Sequence, residues 1–359
     1  MDNLFERPAV IEEIRNEARG ITPLKNKAAK APAAPNPELV ADLFHIHSLN
    51  DWMKMEKETD HPEMLFDKFW IEGELCILFA DTNMGKSILA VQIGNSISRG
   101  KAIQGFELRA KPTPVLYIDF ELNSKQFEQR YTDSLGTYKF DNSFHRGEYN
   151  QLSMLPIDQK NYDDYVISAL TRGIKATGAT VLIIDNITCL RKGTDTSGQA
   201  LPLMKKLKYL KTRHGLSILV LAHTPKRNTA VPISRNDLQG SKMLMNFCDS
   251  AFAIGESQTM QGYRYLKQIK QRSIAETYGA DNICLLKLER RNSLLQFTFT
   301  GYYAEHQHLR RPEQAERERL TQQVAQLHSK GYSQRKIAAQ LKLGLATVNR
   351  MVSWTNSYE

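Results

Sequence analysis

LCILFADTNMGKSILA, running from Leu75 to Ala90, decides how this chain is read. Leu75 to Phe79 are consecutive apolar residues, the pattern of a strand buried on both faces. A polar turn follows, then Gly85-Lys86-Ser87, then apolar residues at helical spacing. Strand, loop and helix in that order, with a lysine and a hydroxyl at the helix start, predict a phosphate cradle. Amide N–H groups at the helix N-terminus point at the anion, the Lys ammonium reaches the terminal phosphates, and the Ser hydroxyl takes a Mg2+ coordination position. The candidate cradle is Ala80, Asp81, Thr82, Asn83, Met84, Gly85, Lys86, Ser87 and Ile88. The full pattern has glycine where Ala80 stands. Ala is tolerable at negative φ, and Asp81 brings an acid beside the phosphates. Gly-Lys-Ser alone also fits a surface turn capping a helix, so the rest of the chain has to decide.

The 359 residues allow a large core with appendages. Hydrophobic residues at 41% and charged residues at 24% describe a globular chain, and no apolar run approaches the roughly 20 residues of a membrane helix. The opening MDNLFERPAVIEE is acidic and broken by proline, unlike a secretory signal. Cys76, Cys189, Cys248 and Cys284 lie far apart in mostly apolar segments. Buried free thiols in a reducing cytoplasm are expected, with no zinc site, disulfide frame or membrane partner. A net charge of +9 suits a polyanion without specifying one.

Residues 1–60 read as an arm: a charged helical pattern, the linker KNKAAKAPAAPNPE, and an amphipathic segment near Val40 to Phe44. Downstream, VLYIDFELN (Val115 to Asn123) is a buried strand with Asp119 and Glu121 at its carboxyl end, where open α/β sheets bind ligands. Alternation places both acids on one side. A carboxylate there can polarise a water towards a γ-phosphate; the plainer alternative is an acid capping the next helix. TVLIIDN sets Asp185 at the end of another apolar strand, fit to hold the Mg2+ shell. LSILVLAH ends a third strand at His223. Loops 191–200 and 225–238 carry Arg191, Lys192, Lys226, Arg227 and Arg235, and long loops in a compact core are more often functional than accidental. YRYLKQIKQRS reads as a strand exposing Lys270 and Arg272 on one face, and ICLLKLERRNSLLQFTFTGY as a hairpin turning at Arg291-Asn-Ser.

Residues 305–359 form a separate region. A charged helix spans 313–330. Ser333 is a natural N-cap, Ile337, Ala338 and Leu341 face inward, Leu343-Gly-Leu makes a tight turn, and Ala346 to Trp354 form a second helix with Val348 and Met351 or Val352 inward. This spacing predicts a helix-turn-helix. It exposes Thr347, Asn349 and Arg350, side chains suited to a major groove. A helical hairpin mediating protein contacts is the plainer reading.

With these pieces placed, residues 65–303 resemble the RecA-like P-loop ATPases of the RepA/DnaB hexameric-helicase type. FADTNMGKS looks like Walker A and TVLIIDN resembles Walker B. YIDFELN is similar to the strand carrying the catalytic glutamate, here Glu121. LVLAHTPKR looks like the γ-phosphate sensor strand, here His223. KQIKQR resembles the Lys-x-Arg finger pair that acts on a neighbour's nucleotide, here Lys270 and Arg272. The resemblance implies an α/β fold, a RecA-like core over 61–304 with a mainly parallel, twisted sheet. It also implies ATP and Mg2+ as ligands, the metal held by Ser87 and Asp185, and a ring, expected to be a hexamer. Single-stranded DNA would pass along the core loops and duplex DNA would meet the C-terminal helix-turn-helix, in replication or mobility of a plasmid or other mobile element. A rival keeps the core but not the motor: a nucleotide-gated DNA-binding regulator or loader. The core loops lack aromatic residues for base stacking, which favours that rival slightly.

Overall fold

The computed structural model describes residues 44–59, 61–150, 159–190, 197–225, 227–239, 242–310 and 312–355. Residues up to Asp60 form one unit and those from His61 another. In the first, helix α1 (Leu49–Lys57) starts at Ser48, whose hydroxyl accepts from Asp51 N–H. The segment near Val40 lies outside the described residues apart from Phe44.

In the second unit the elements run β1 (Met64–Phe66), β2 (Trp70–Ile71), β3 (Leu75–Ala80), α2 (Lys86–Arg99), β4 (Val115–Asp119), α3 (Ser124–Arg130), β5 (Thr132–Asp133), β6 (Gly136–Thr137) and β7 (Phe144–Glu148). Then come α4 (Gln159–Thr177), β8 (Val181–Asp185), α5 (Ile187–Leu190), α6 (Ser197–His214), β9 (Ser217–His223), α7 (Lys242–Phe247), β10 (Ser250–Glu256), β11 (Tyr263–Lys270), β12 (Ile283–Arg291) and β13 (Leu294–Tyr303). The tail holds α8 (Pro312–Ser329), α9 (Gln334–Leu341) and α10 (Leu345–Thr355).

The main sheet has the order β13-β12-β11-β10-β3-β9-β8-β4-β7. The strands from β10 to β7 are parallel, and β11, β12 and β13 extend the sheet as antiparallel neighbours. Every residue of β3 is buried. Its Leu75, Ile77 and Phe79 join the core under α4 and α6, while Cys76, Leu78 and Ala80 join the core under α2. Burial on both faces explains why β3 is uniformly apolar rather than alternating. The hairpin turns at Asn292 (φ 48°) and Ser293 (φ 64°), the left-handed pair that a tight two-residue hairpin loop requires.

The parallel register brings the carboxyl ends together: Ala80 pairs with His223, and Asp119 with Asp185. Segment 305–310 is fastened to the core. Glu305 carboxylate oxygens accept from Ile233 N–H, Tyr265 hydroxyl and Lys267 Nζ, and Arg310 N–H donates to Thr229 O. The tail helices begin at Pro312. Their own core is Val324, Ile337, Ala338, Val348, Met351 and Val352, so both Met351 and Val352 face inward. Ser333 caps α9 by accepting from Lys336 N–H, and Lys342 (φ 53°) ends it in the left-handed region. No described helix is long and apolar enough to cross a membrane. Cys76, Cys248 and Cys284 are buried free thiols.

Candidate nucleotide site

The phosphate cradle is built by β3 running into α2. Gly85 is the N-cap of α2 with φ 90° and no side-chain cap, so the first-turn amides are left for an external acceptor. A Cβ at Gly85 would sit 2.6 Å from the Phe297 ring, which fixes glycine a second way. Asn83 holds φ 62°, a conformation Asn tolerates better than other side chains. Ala80 is not among the positive-φ residues, so the missing glycine leaves the loop unstrained. Asp81 is turned onto its own loop, with Oδ1 accepting from Thr82 N–H.

Lys86 Nζ donates to Ala80 O (3.1 Å) and Asp81 O (3.0 Å) and lies 3.2 Å from His223 Nδ1. It stands in the mouth of its own loop. Burial lowers its pKa, and the carboxylates of Asp185, Glu121 and Asp81 oppose that effect. Asp185 is 1% exposed. Tyr117 hydroxyl donates to its Oδ2 at 2.6 Å, while Oδ1 is buried without a hydrogen-bond partner. Burial pushes the Asp185 pKa up to about 6, against the pull of the Ser87 and Tyr117 hydroxyls.

A buried carboxylate with one orphaned oxygen, beside a serine hydroxyl at the cradle, fits a divalent cation. Among the described residues, no group of three or more His, Cys, Asp or Glu side chains could hold a metal ion. Mg2+ takes few carboxylates and keeps several of its waters. Ser87 and Asp185 are the residues that would hold it.

Asp119 and Glu121 do not act as a pair, because β4 ends at Asp119 and the chain then turns. Asp119 accepts from Glu121 N–H and Leu122 N–H and pairs with Arg146 at 3.0 Å, which commits it to structure. The helix cap is instead Asn123, in a capping box with Gln126. Glu121 is thrown forward to the site. Asn186 Nδ2 donates to its Oε1 at 2.6 Å, and His223 Nε2 stands 3.5 Å from the same oxygen. The His223 ring, then the Asn186 amide and Lys86, hold the Glu121 pKa below the ordinary glutamate value against the effect of burial. Asn186 is the residue that sequence reading missed. Its only signal is its place directly after Asp185.

The remaining candidates lie elsewhere. Strand alternation does not carry Lys270 and Arg272 onto one face, because β11 stops at Lys270. Both nonetheless reach the C-terminal end of α7: Lys270 donates to Met245 O and Cys248 O, and Arg272 to Asn246 O. Exposed carbonyls at a helix end attract cations. Lys208, Lys211 and Arg272 also surround the Asp249 carboxylate. Asp249 N–H donates to Leu75 O, at the start of β3. This cluster is therefore at the sheet end opposite the cradle, about 16 Å away along the strand at 3.3 Å per residue.

Arg227 is turned inward, against the expectation of a free cation: it donates to Val231 O and lies 3.5 Å from Asp237, at 11% side-chain exposure. Arg235 is exposed, with its Nε on Ile269 O. Arg191, Lys192 and Lys226 lie outside the described residues. In the tail, Asn349 and Arg350 are exposed and Thr347 is half-buried.

A family model described as an AAA domain matches residues 42–229, just over half of the chain. No curated protein matches it. Among solved structures, that of a KaiC-like protein from the hyperthermophilic archaeon Pyrococcus horikoshii is similar, with a TM-score of 0.45 and 14% identity over 66% of this chain and 93% of that one.

Proposed function

The chain belongs to the AAA-domain family of P-loop ATPases, and from that premise we propose a Mg2+-dependent ATPase of the RecA/RepA helicase type. It works on DNA in the replication or mobility of a plasmid or other mobile element. One observation carries the reading: Lys86, Ser87, Glu121, Asp185 and His223 converge at the carboxyl edge of the parallel strands, with Lys86 at 3.2 Å and Glu121 at 3.5 Å from the His223 ring and the Ser87 hydroxyl on the Asp185 carboxylate.

In this mechanism the cradle amides and Lys86 bind the ATP phosphates. Lys86 exchanges the Ala80 and Asp81 carbonyls for phosphate oxygens, which are stronger, charged acceptors. Ser87 and Asp185 would hold Mg2+, which would supply screening of the phosphate charge. Glu121 accepts the proton of the attacking water and aligns it. His223 senses the γ-phosphate and passes its loss to the loop that follows β9.

Lys270 and Arg272 are too far from their own cradle to serve it. They fit a role across a subunit boundary, stabilising charge on a neighbour's nucleotide, with the subunits closed as a hexameric ring. Single-stranded DNA would run along the loops at 191–200 and 225–238, where Arg235 is the exposed described cation. Duplex DNA would meet α10 through Thr347, Asn349 and Arg350. The stretch 319–358 contains basic residues and no Asp or Glu, which supports a polyanion partner for the tail.

The test is steady-state ATP hydrolysis with Mg2+ and single-stranded DNA for the wild type and Lys86→Ala. Loss of turnover in the variant is expected. Turnover at the wild-type rate would remove the cradle assignment. If the wild type hydrolyses ATP and binds one duplex sequence but displaces no strand, the regulator or loader reading replaces the motor.

A further inference from the structure

Four side chains follow one another across the site, each within 3.2 Å of the next. Lys86 Nζ lies 3.2 Å from His223 Nδ1, His223 Nε2 lies 3.0 Å from Asn186 Nδ2, and Asn186 Nδ2 lies 2.6 Å from Glu121 Oε1. The phosphate ligand is at one end and the water-activating carboxylate at the other. Asn186 is the joint. Its single amide nitrogen carries two hydrogens, one for the His223 ring and one for the Glu121 carboxylate. A donor to Nε2 also fixes the neutral ring proton on Nδ1, so Nδ1–H and the Lys86 ammonium are both donors and together offer two hydrogen bonds to a phosphate oxygen.

We infer that Asn186 is a positioning residue that ties the aim of Glu121 to the state of the γ-phosphate through His223. The inference rests on the ATPase reading above and deepens it. Asn186 is 3% exposed and follows Asp185, at the end of a strand that is buried throughout. Its backbone is therefore anchored, and its side chain can serve as a fixed reference. Glu121 has no such anchor: it follows the end of β4, and its side chain is 40% exposed. Without a partner, a half-exposed carboxylate in a turn samples several rotamers, few of which face an attacking water. Both contacts fall on Oε1, and no contact to Oε2 occurs among the described residues. Asn186 thus fixes the carboxylate by one oxygen and leaves the other for water. A phosphate oxygen that accepts from Nδ1–H fixes the ring, and the shared amide carries that constraint to Glu121.

The experiment is a kinetic double-mutant cycle on the full chain, with Asn186→Ala, His223→Ala and the double variant. ATP turnover and the Kd of a fluorescent ATP analogue are measured for each. Asn186→Ala is expected to lower kcat by about 10- to 100-fold, as misaimed catalytic groups do, with the Kd within about twofold of wild type. The double variant is expected to be no slower than the slower single one. Asn186→Ser, which keeps a donor, is expected to recover part of the rate. Asn186→Asp, of the same shape but unable to donate, carries the prediction of the Ala variant should that protein not fold.

Wild-type kcat in Asn186→Ala or Asn186→Asp overturns the inference, and so does a Kd that rises in step with the loss of kcat. Fully multiplicative losses in the double variant overturn the His223 link. A wild-type protein without ATP turnover is a different failure, that of the ATPase reading itself.

Discussion

Ala80 occupies the place where the phosphate-loop pattern has glycine, and its backbone explains why that is harmless. It is the last residue of β3, 1% exposed, and its carbonyl accepts from Lys86 Nζ and Thr224 N–H. No positive φ is needed there. Ala80→Gly is therefore expected to cost about 0.5–1 kcal/mol through backbone entropy, without tightening ATP binding; denaturant melts and nucleotide titration check both. Gly85 is the opposite case, fixed by φ and by Phe297. A second residue-scale prediction concerns His308, which is 2% exposed. Its Nδ1 meets the Ser257 hydroxyl at 2.8 Å, and its Nε2 is buried without a partner. Burial holds its pKa below the ordinary histidine value. The unfolded chain takes up this proton near pH 6.5 and the folded chain does not, so stability is lost as pH falls below about 6.5. Urea melts between pH 5 and 8 should show that loss, with a shallower acid limb in His308→Gln.

At the scale of elements, the cradle was legible because β3 and α2 obey simple periods: uniform burial for one, an apolar face on the sheet for the other. The hairpin at Asn292-Ser293 and the tail helices were legible for the same reason. Tertiary decisions were not. The end of β11 at Lys270, the turn after Asp119 and the aim of Asn186 all depend on register with strands far away in sequence. Arg227 misled because a basic residue in a polar loop reads as solvated, whereas Asp237 and Val231 O turn it inward. The loop after β9 is also pinned from below. Glu305 (0% exposed) and Lys267 (8% exposed) form a buried ion pair, and both also bond to the backbone of Ile233. Removing one partner strands the other, so Glu305→Ala is expected to cost about 3–5 kcal/mol. Chemical denaturation measures it, and a loss below about 1 kcal/mol would show that the pair is dispensable.

Over the whole molecule, chemistry is divided between the two ends of one sheet. The cradle, Glu121, Asp185 and His223 occupy the carboxyl edge, and the cations around Asp249 occupy the other. In the proposed ring, this polarity would let each subunit complete the site of the next, head to tail. The tail has its own small core, and its sequence from 319 to 358 lacks acids. Deleting residues 312–359 is expected to leave ATP turnover within about twofold while removing salt-sensitive duplex binding, since phosphate contacts release counterions. Titration of labelled duplex at several salt concentrations reads this directly.

The central claim is that Glu121 activates water in a site whose phosphates are held by other residues. It is tested most directly by measuring ATP affinity and turnover side by side for the wild type and Glu121→Gln. Unchanged affinity with turnover reduced by about 100-fold or more is the predicted result; wild-type turnover in Glu121→Gln would contradict it.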